Sequence, residues 1–363
     1  MKFLFLLALA TLTVALPTAG NGTAVAVGLQ AVDGTAAAVG LQAVDGAAKY
    51  PGALLLGGDV EGCSVDAKGN MYALNATAFV PLADTPAHVQ LAGVDKTNHF
   101  AGSRFTRSLG ALVADAVGHQ VLCAGKGNGS KPLFAEPGML QPNDFTVSKD
   151  EKRIYLSGMN YEANTGDLWF YDVAAAKATK VALPDAATKA TFRLNGIELS
   201  PDDRTLFVTN AQNTANMSAV ARAEVLQFAV DPATGVPVYE KVAIDLQAVL
   251  AEKGLARADA KGLKLDSMDP DGMRMDSRGT LFVALNAFGR VLKWTVGTKP
   301  CDASVIDLKT VVNPANLELG GPEGKDLVVI GLCADQEKSC VDVFSHDTPG
   351  RAFANLQAGG GNS

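Results

Sequence analysis

The chain has 363 residues, 48% of them hydrophobic, enough apolar material for a large core in one domain or two. A net charge of -7 and the lack of any basic stripe leave nothing to neutralise phosphates, which excludes a nucleic-acid partner. Four histidines are few for a relay or a histidine-based metal site.

At the N-terminus Lys2 precedes the apolar run "FLFLLALATLTVAL", and small residues follow at Ala15, Ala19 and Gly20. Residues 1–19 read as a secretory signal peptide, because the run is shorter than the roughly 20 residues a spanning helix needs. No other stretch is long and apolar enough to cross a bilayer. The mature chain is therefore expected to be secreted, extracellular and without a membrane span. Sequons at Asn21, Asn75, Asn128 and Asn216 agree with export and mark candidate glycosylation sites. Export also puts the five cysteines, Cys63, Cys123, Cys301, Cys333 and Cys340, in an oxidising setting. Cys333 and Cys340 bracket a polar loop between two apolar strands, and a hairpin would join them as a disulfide.

Next comes a tandem duplication, "TAVAVGLQAVDG" from Thr23 and "TAAAVGLQAVDG" from Thr35. Without large side chains it reads as a low-complexity spacer over residues 20–50 that packs little against the rest. From about residue 51 to residue 350, short runs of Val, Ile, Phe, Tyr and Leu alternate with Gly, Asp, Asn and Pro turns, which predicts strands. One helix is expected within residues 244–262, where Leu246, Val249, Leu250 and Leu255 have helical spacing. Residues 351–363 read as a Gly-rich tail.

Four segments repeat one pattern: "EGCSVDAKGNMYALN" from Glu61, "NDFTVSKDEKRIYLSG" from Asn143, "NGIELSPDDRTLFVTN" from Asn195 and "DGMRMDSRGTLFVALN" from Asp271. Each opens on a polar residue followed by Gly or Asp, then gives a short strand, a turn and a second strand with an aromatic at Tyr72, Tyr155, Phe207 or Phe282. Weaker copies start near Gly110 and at Asn316. Six such units predict an all-β, six-bladed β-propeller, with ring closure by a strand near residues 50–56. In a propeller the first residue of each innermost strand sits at one mouth of the channel. Glu61, Asn143, Asn195 and Asp271 would then surround one opening with two carboxylates and two amide carbonyls. Hard oxygen donors of this kind suit Ca²⁺, with Mg²⁺ or Mn²⁺ as alternatives and Zn²⁺ disfavoured by the lack of His or Cys.

On these motifs the chain resembles the SMP-30/gluconolactonase/LRE-like family of six-bladed propellers, which includes regucalcin, gluconolactonases and diisopropyl fluorophosphatase. The resemblance covers roughly residues 51 to 350 and is strongest in "VEGCSVDAKGNMYALN", "LQPNDFTVS", "RLNGIELSPDDRTLFVTN" and "DPDGMRMDSRGTLFVALNAFGRVLKW". It implies one catalytic divalent cation held by the Glu of E-G, the Asn of N-D, the Asn of N-G and the Asp of D-G, here Glu61, Asn143, Asn195 and Asp271. Some lactonases of the family carry an Arg two residues before the N-D asparagine, where this chain has Gln141. The implied activity is metal-dependent hydrolysis of a small lactone or ester by a monomer, with Asp271 as catalytic base or nucleophile. Gln141, Asn210, Asn213 and Asn286 are the candidate substrate contacts. The alternatives are an organophosphate or aryl esterase using the same site, and a binding propeller whose ion is structural.

Overall fold

Short apolar runs punctuated by turns can bury both faces only by stacking sheet on sheet, and the chain does so with six four-stranded antiparallel sheets. The computed structural model describes residues 42–44, 49–50, 60–75, 78–82, 89–90, 98–124, 130–184, 193–255, 264–335 and 337–358. The expected signal peptide, the first copy of the duplication, Asn21, Asn128 and the last five residues lie outside these. Five sheets start from an inner strand and add three strands outward in chain order. Their inner strands are Val60–Val65, Phe100–Phe105, Gln141–Val147, Arg193–Leu199 and Asp269–Met275. The sixth starts at Asn313–Gly320 and takes its outermost strand, Gln42–Val44, from the N-terminal side, paired antiparallel with Ser339–Ser345. The molecule is a six-bladed propeller, mostly β.

Three expectations need correction. Closure uses Gln42–Val44, inside the second copy of the duplication, whereas the strand expected near residues 50–56 falls, past Tyr50, outside the described residues. An outermost strand needs backbone pairing more than side-chain bulk, so Ala43, half-buried against the last blade, suffices. Blade two begins at Phe100 and not near Gly110. The hairpin after Gly110 consists of Ala111–Asp115 and Gln120–Ala124, the second and third strands. Among the described residues, two seven-residue α-helices accompany the sheets. Helix α1, Leu246–Glu252, lies in the predicted region, its start capped by the Asp245 carboxylate accepting from the Ala248 N–H at 2.9 Å. Helix α2, Arg351–Gln357, occupies the expected tail and buries Arg351, Phe353 and Leu356.

The core is divided into six apolar wedges, each between adjacent blades. Tyr155, Leu168 and Phe170 of blade three meet Leu194, Ile197 and Leu206 of blade four, for example. Helix α1 adds Leu246, Val249 and Leu250 to the wedge between blades four and five. The channel wall, by contrast, is polar. Ser64, Arg104, Thr146, Glu198, Arg274 and Glu318 occupy one register, opposite Tyr72, Leu112, Tyr155, Phe207, Phe282 and Val328 of the second strands. All six are buried. Arg104 and Arg274 share the carboxylate of Asp144 at 3.2 and 2.7 Å, and Arg274 also reaches Glu318 at 3.1 Å. From below, Arg351 of α2 donates to Glu198 at 3.1 Å. Burial pushes the Asp144 carboxyl up, but Arg104 and Arg274 more than offset this and hold it below the ordinary value.

Two outcomes follow from this packing. Replacing Arg274 with Met leaves Glu318 without its ion-pair partner and Asp144 with Arg104 alone, and urea unfolding should register a loss of about 3–5 kcal/mol. A chain starting at Ala47 lacks the closing strand, whereas one starting at Thr35 keeps it. Calorimetry should give the shorter chain a melting point several degrees lower; equal melting points would mean that Gln42–Val44 contributes nothing to closure.

Candidate metal centre at the channel mouth

The inner strands of blades one to five break register with their second strands at the same place. Val60 pairs with Asn75 and Cys63 with Ala73, which leaves Glu61 and Gly62 bulged between them. The same break leaves Ala101–Gly102, Asn143–Asp144, Asn195–Gly196 and Asp271–Gly272 unpaired, while blade six breaks at Ala315. A bulge re-aims the side chain it carries. Glu61, Asn143, Asn195 and Asp271 thus hold one equivalent position in blades one, three, four and five. Ala101 and Ala315 hold it in blades two and six.

The residue after each bulge opener explains the recurring glycine. A Cβ on Gly62 would come within 3.0 Å of the Ala101 carbonyl, one on Gly102 within 3.0 Å of the Asn143 carbonyl, and one on Gly196 within 3.0 Å of the Asp271 carbonyl. Neighbouring openers are therefore held side by side by backbone contact. Hydroxyls of the second strands stitch them further. Ser157 Oγ bonds to the carbonyls of Asp144, at 3.1 Å, and Asn195. Thr209 Oγ1 lies 3.4 Å from the Gly196 carbonyl and 3.3 Å from that of Asp271.

At this position two groups lack the partner their chemistry requires. Asn195 Oδ1 is buried with no hydrogen-bond partner. Asp271 is buried enough that its carboxyl is pushed up to about 7; hydrogen bonds from Asn286 and Asn195 pull it down, and the charges of Asp269 and Asp144 add to the rise. An unpaired buried acceptor beside a carboxylate with no cation suits a hard positive ion. Among the described residues no group of three or more His, Cys, Asp or Glu is gathered closely enough to hold a metal. An ion at the mouth would thus need the amide oxygens of Asn143 and Asn195 as well as the two carboxylates.

The four expected substrate contacts divide. Gln141 is exposed at the start of the blade-three inner strand. Asn286 Nδ2 donates to Asp271 Oδ2 at 2.9 Å and so belongs to the centre itself. Asn210 is buried and donates to Glu224 at 3.1 Å, and Asn213 is buried and accepts from Arg193 Nη2 at 2.8 Å. Sequence reasoning singled out only Gln141 from a second tier two residues before the bulge openers, and missed His99, Arg193, Asp269 and Asn313. In it Arg193 and Asp269 form an ion pair at 2.8 Å, and the Arg193 guanidinium lies 4.6 Å from the Tyr161 ring centroid. The strand alternation counted back from Asn195 and Asp271 was the available signal.

Of the sequons, Asn75 is half-buried beside the Glu61 bulge, and Asn216 is exposed on the turn after the second strand of blade four. Cys333 and Cys340 are joined by a disulfide with Cα atoms 5.2 Å apart, and Cys63, Cys123 and Cys301 are free thiols. No helix among the described residues is long and apolar enough to cross a membrane.

The profile of the SMP-30/Gluconolactonase/LRE-like region matches residues 84–331, more than half of the chain. The match contains Asn143, Asn195 and Asp271 and begins after Glu61. No curated protein sequence matches the chain. Among solved structures, a luciferin-regenerating enzyme is similar with a TM-score of 0.61 at 15% identity, covering 85% of this chain and 96% of its own. Regucalcin from Agrobacterium tumefaciens, described as a calcium-binding protein, is similar with a TM-score of 0.55 at 16% identity, over 81% of this chain and 91% of its own. A gluconolactonase from Xanthomonas campestris has a TM-score of 0.55 at 14% identity, over 83% of this chain and 89% of its own. At these identities the likeness is one of fold.

The close approach at the bulges gives a direct test. Gly196→Ala forces a methyl against the Asp271 backbone, and urea unfolding should show a loss of roughly 1–3 kcal/mol. An unchanged midpoint would mean that the neighbouring bulge can move aside freely.

Proposed function

The chain belongs to the SMP-30/gluconolactonase/LRE-like family, and on that premise we propose that it is a calcium-dependent hydrolase that opens a lactone ring with water. The observation that carries this reading is the buried, unpartnered Asn195 Oδ1 next to the Asp271 carboxylate, in a position shared with Glu61 and Asn143. These four side chains would hold the ion, and water would complete the six to eight oxygens that Ca²⁺ takes. A bound divalent cation supplies Lewis-acid polarisation of the ring carbonyl. Asp271 does the protein's part of the chemistry, taking a proton from the attacking water. Asn286 and the side-chain amide of Asn195 orient its carboxylate by donating to it. The stitched bulges keep Asp271 and Asn195 in fixed relation while this happens. Secretion fits the same reading, since the apolar leader would deliver the chain to a calcium-rich exterior.

Hydrolysis of simple lactones across a Ca²⁺ titration of chelator-treated protein separates the roles. Asp271→Asn keeps the shape and one carbonyl donor, so Ca²⁺ affinity should weaken while turnover at saturating Ca²⁺ falls roughly 10²-fold. Asn195→Asp should tighten the ion without raising turnover. Full recovery of Asp271→Asn by excess Ca²⁺ would reduce Asp271 to a ligand and remove it as the base.

A further inference from the structure

The tier above the centre assigns a substrate class. We propose that Tyr161, mounted on Arg193, is a stacking subsite for an aromatic ring carried by the substrate, so that aryl-bearing lactones are preferred to polyhydroxylated ones. This inference rests on the reading of the mouth as a hydrolytic site and deepens it.

Tyr161 opens the turn between the second and third strands of blade three, at the mouth end of the blade. Its ring leans onto the Arg193 guanidinium, which stands on the inner strand of blade four two residues before Asn195. The ring therefore packs on a residue two positions along the strand from Asn195. The mount is rigid. Arg193 is only 3% exposed, and its Nη2 donates to Asn213 Oδ1 and Asp269 Oδ2, both at 2.8 Å. The turn itself is pinned to blade four, because Asn164 accepts from the Asn213 N–H at 3.0 Å and donates to the Asn213 carbonyl at 3.1 Å.

On this built support the structure leaves apolar surface open. Tyr161 is 37% exposed and Met217 38%. Met217 belongs to the same corner, its sulfur 3.5 Å from Asn213 Nδ2. Recognition of a polyhydroxylated ring needs polar groups with bonds to spare, and the rim's amides are largely engaged. Asn210 serves Glu224, Asn213 serves Arg193 and Asn286 serves Asp271. An aromatic ring needs only a flat, preorganised face, and an arginine-backed tyrosine supplies one.

The test compares hydrolysis of dihydrocoumarin, δ-valerolactone and glucono-1,5-lactone by the full chain in saturating Ca²⁺, for wild type, Tyr161→Ala, Tyr161→Phe and Met217→Ala. Because each substrate keeps its own leaving group in every variant, the change in ratio between variants isolates the subsite. Tyr161→Ala should lower the dihydrocoumarin to δ-valerolactone ratio of kcat/KM roughly 10-fold, mostly through KM, and Tyr161→Phe should retain it. Met217→Ala should lower it less. An unchanged ratio in Tyr161→Ala, or a wild-type preference for glucono-1,5-lactone, overturns the subsite while leaving the hydrolase reading standing. If the wild type hydrolyses no lactone, the hydrolase reading fails. The subsite is then decided by calorimetric binding of the ring-opened acid 3-(2-hydroxyphenyl)propionate against 5-hydroxypentanoate. Selective aryl binding that Tyr161→Ala abolishes supports the subsite, and equal or absent binding rejects it.

Discussion

Where the inner strands of blades one, two, four and five meet their neighbours at the bulges, there is no room for a side chain after the opener. Methyl groups at Gly62, Gly102 or Gly196 would overlap the next blade's backbone, and one at Gly272 would overlap the Asn316 side chain. That contact fixes the spacing of successive bulge openers, and a bulge re-aims the side chain it carries. The position of Glu61, Asn143, Asn195 and Asp271 is thus a consequence of backbone packing, and the dipeptides E-G, N-G and D-G are its imprint on the sequence. Blade three departs from glycine with Asp144, and this carboxylate is the one that Arg104 and Arg274 share in the channel.

The channel and its mouth differ in how their charges are matched. Within the channel, Arg104, Arg274 and Arg351 face Asp144, Glu198 and Glu318, and the network ties blades two to six and helix α2 together. One level up, among the described residues, Asp271 has amide donors and no cation, and Asn195 Oδ1 has no hydrogen-bond partner. Buried polar groups left in that state are costly unless something binds them. Two arginines of the inner strands are committed elsewhere: Arg274 to the channel, and Arg193 to Asp269 and the Tyr161 ring. On the reading proposed here a bound cation would complete the mouth, and the amide-rich donor set would favour a hard, oxygen-seeking one.

The period of the blades and the four openers were legible in the sequence because in four blades the bulge carries a polar residue followed by Gly or Asp. The same rule hid blade two. Its opener is Ala101, so the stronger hairpin signal around Gly118 drew the alignment to its second and third strands. The closing strand was hidden because Gln42–Val44 carries no large side chain, and its partner Ser339–Ser345 lies near the other end of the chain. Helix α2 was masked by the glycine-rich residues after it, although Arg351 alone contacts Glu198, Asp203, Ser200 and Val147. Asn210 and Asn213 looked like substrate contacts, since nothing local to them announces Glu224 or Arg193 as partners. The Arg193–Asp269 pair joins residues 76 positions apart and became visible only when blades four and five were set side by side.

The most direct measurement is anomalous diffraction from crystals of the full chain soaked in Tb³⁺ or Mn²⁺ as reporters for Ca²⁺. One peak should stand at the mouth, within about 2.3–2.6 Å of oxygens from Glu61, Asn143, Asn195 and Asp271 when Ca²⁺ itself is bound. A mouth that stays empty at saturating ion, or an ion that binds only elsewhere, would contradict the metal centre and the hydrolytic function built on it.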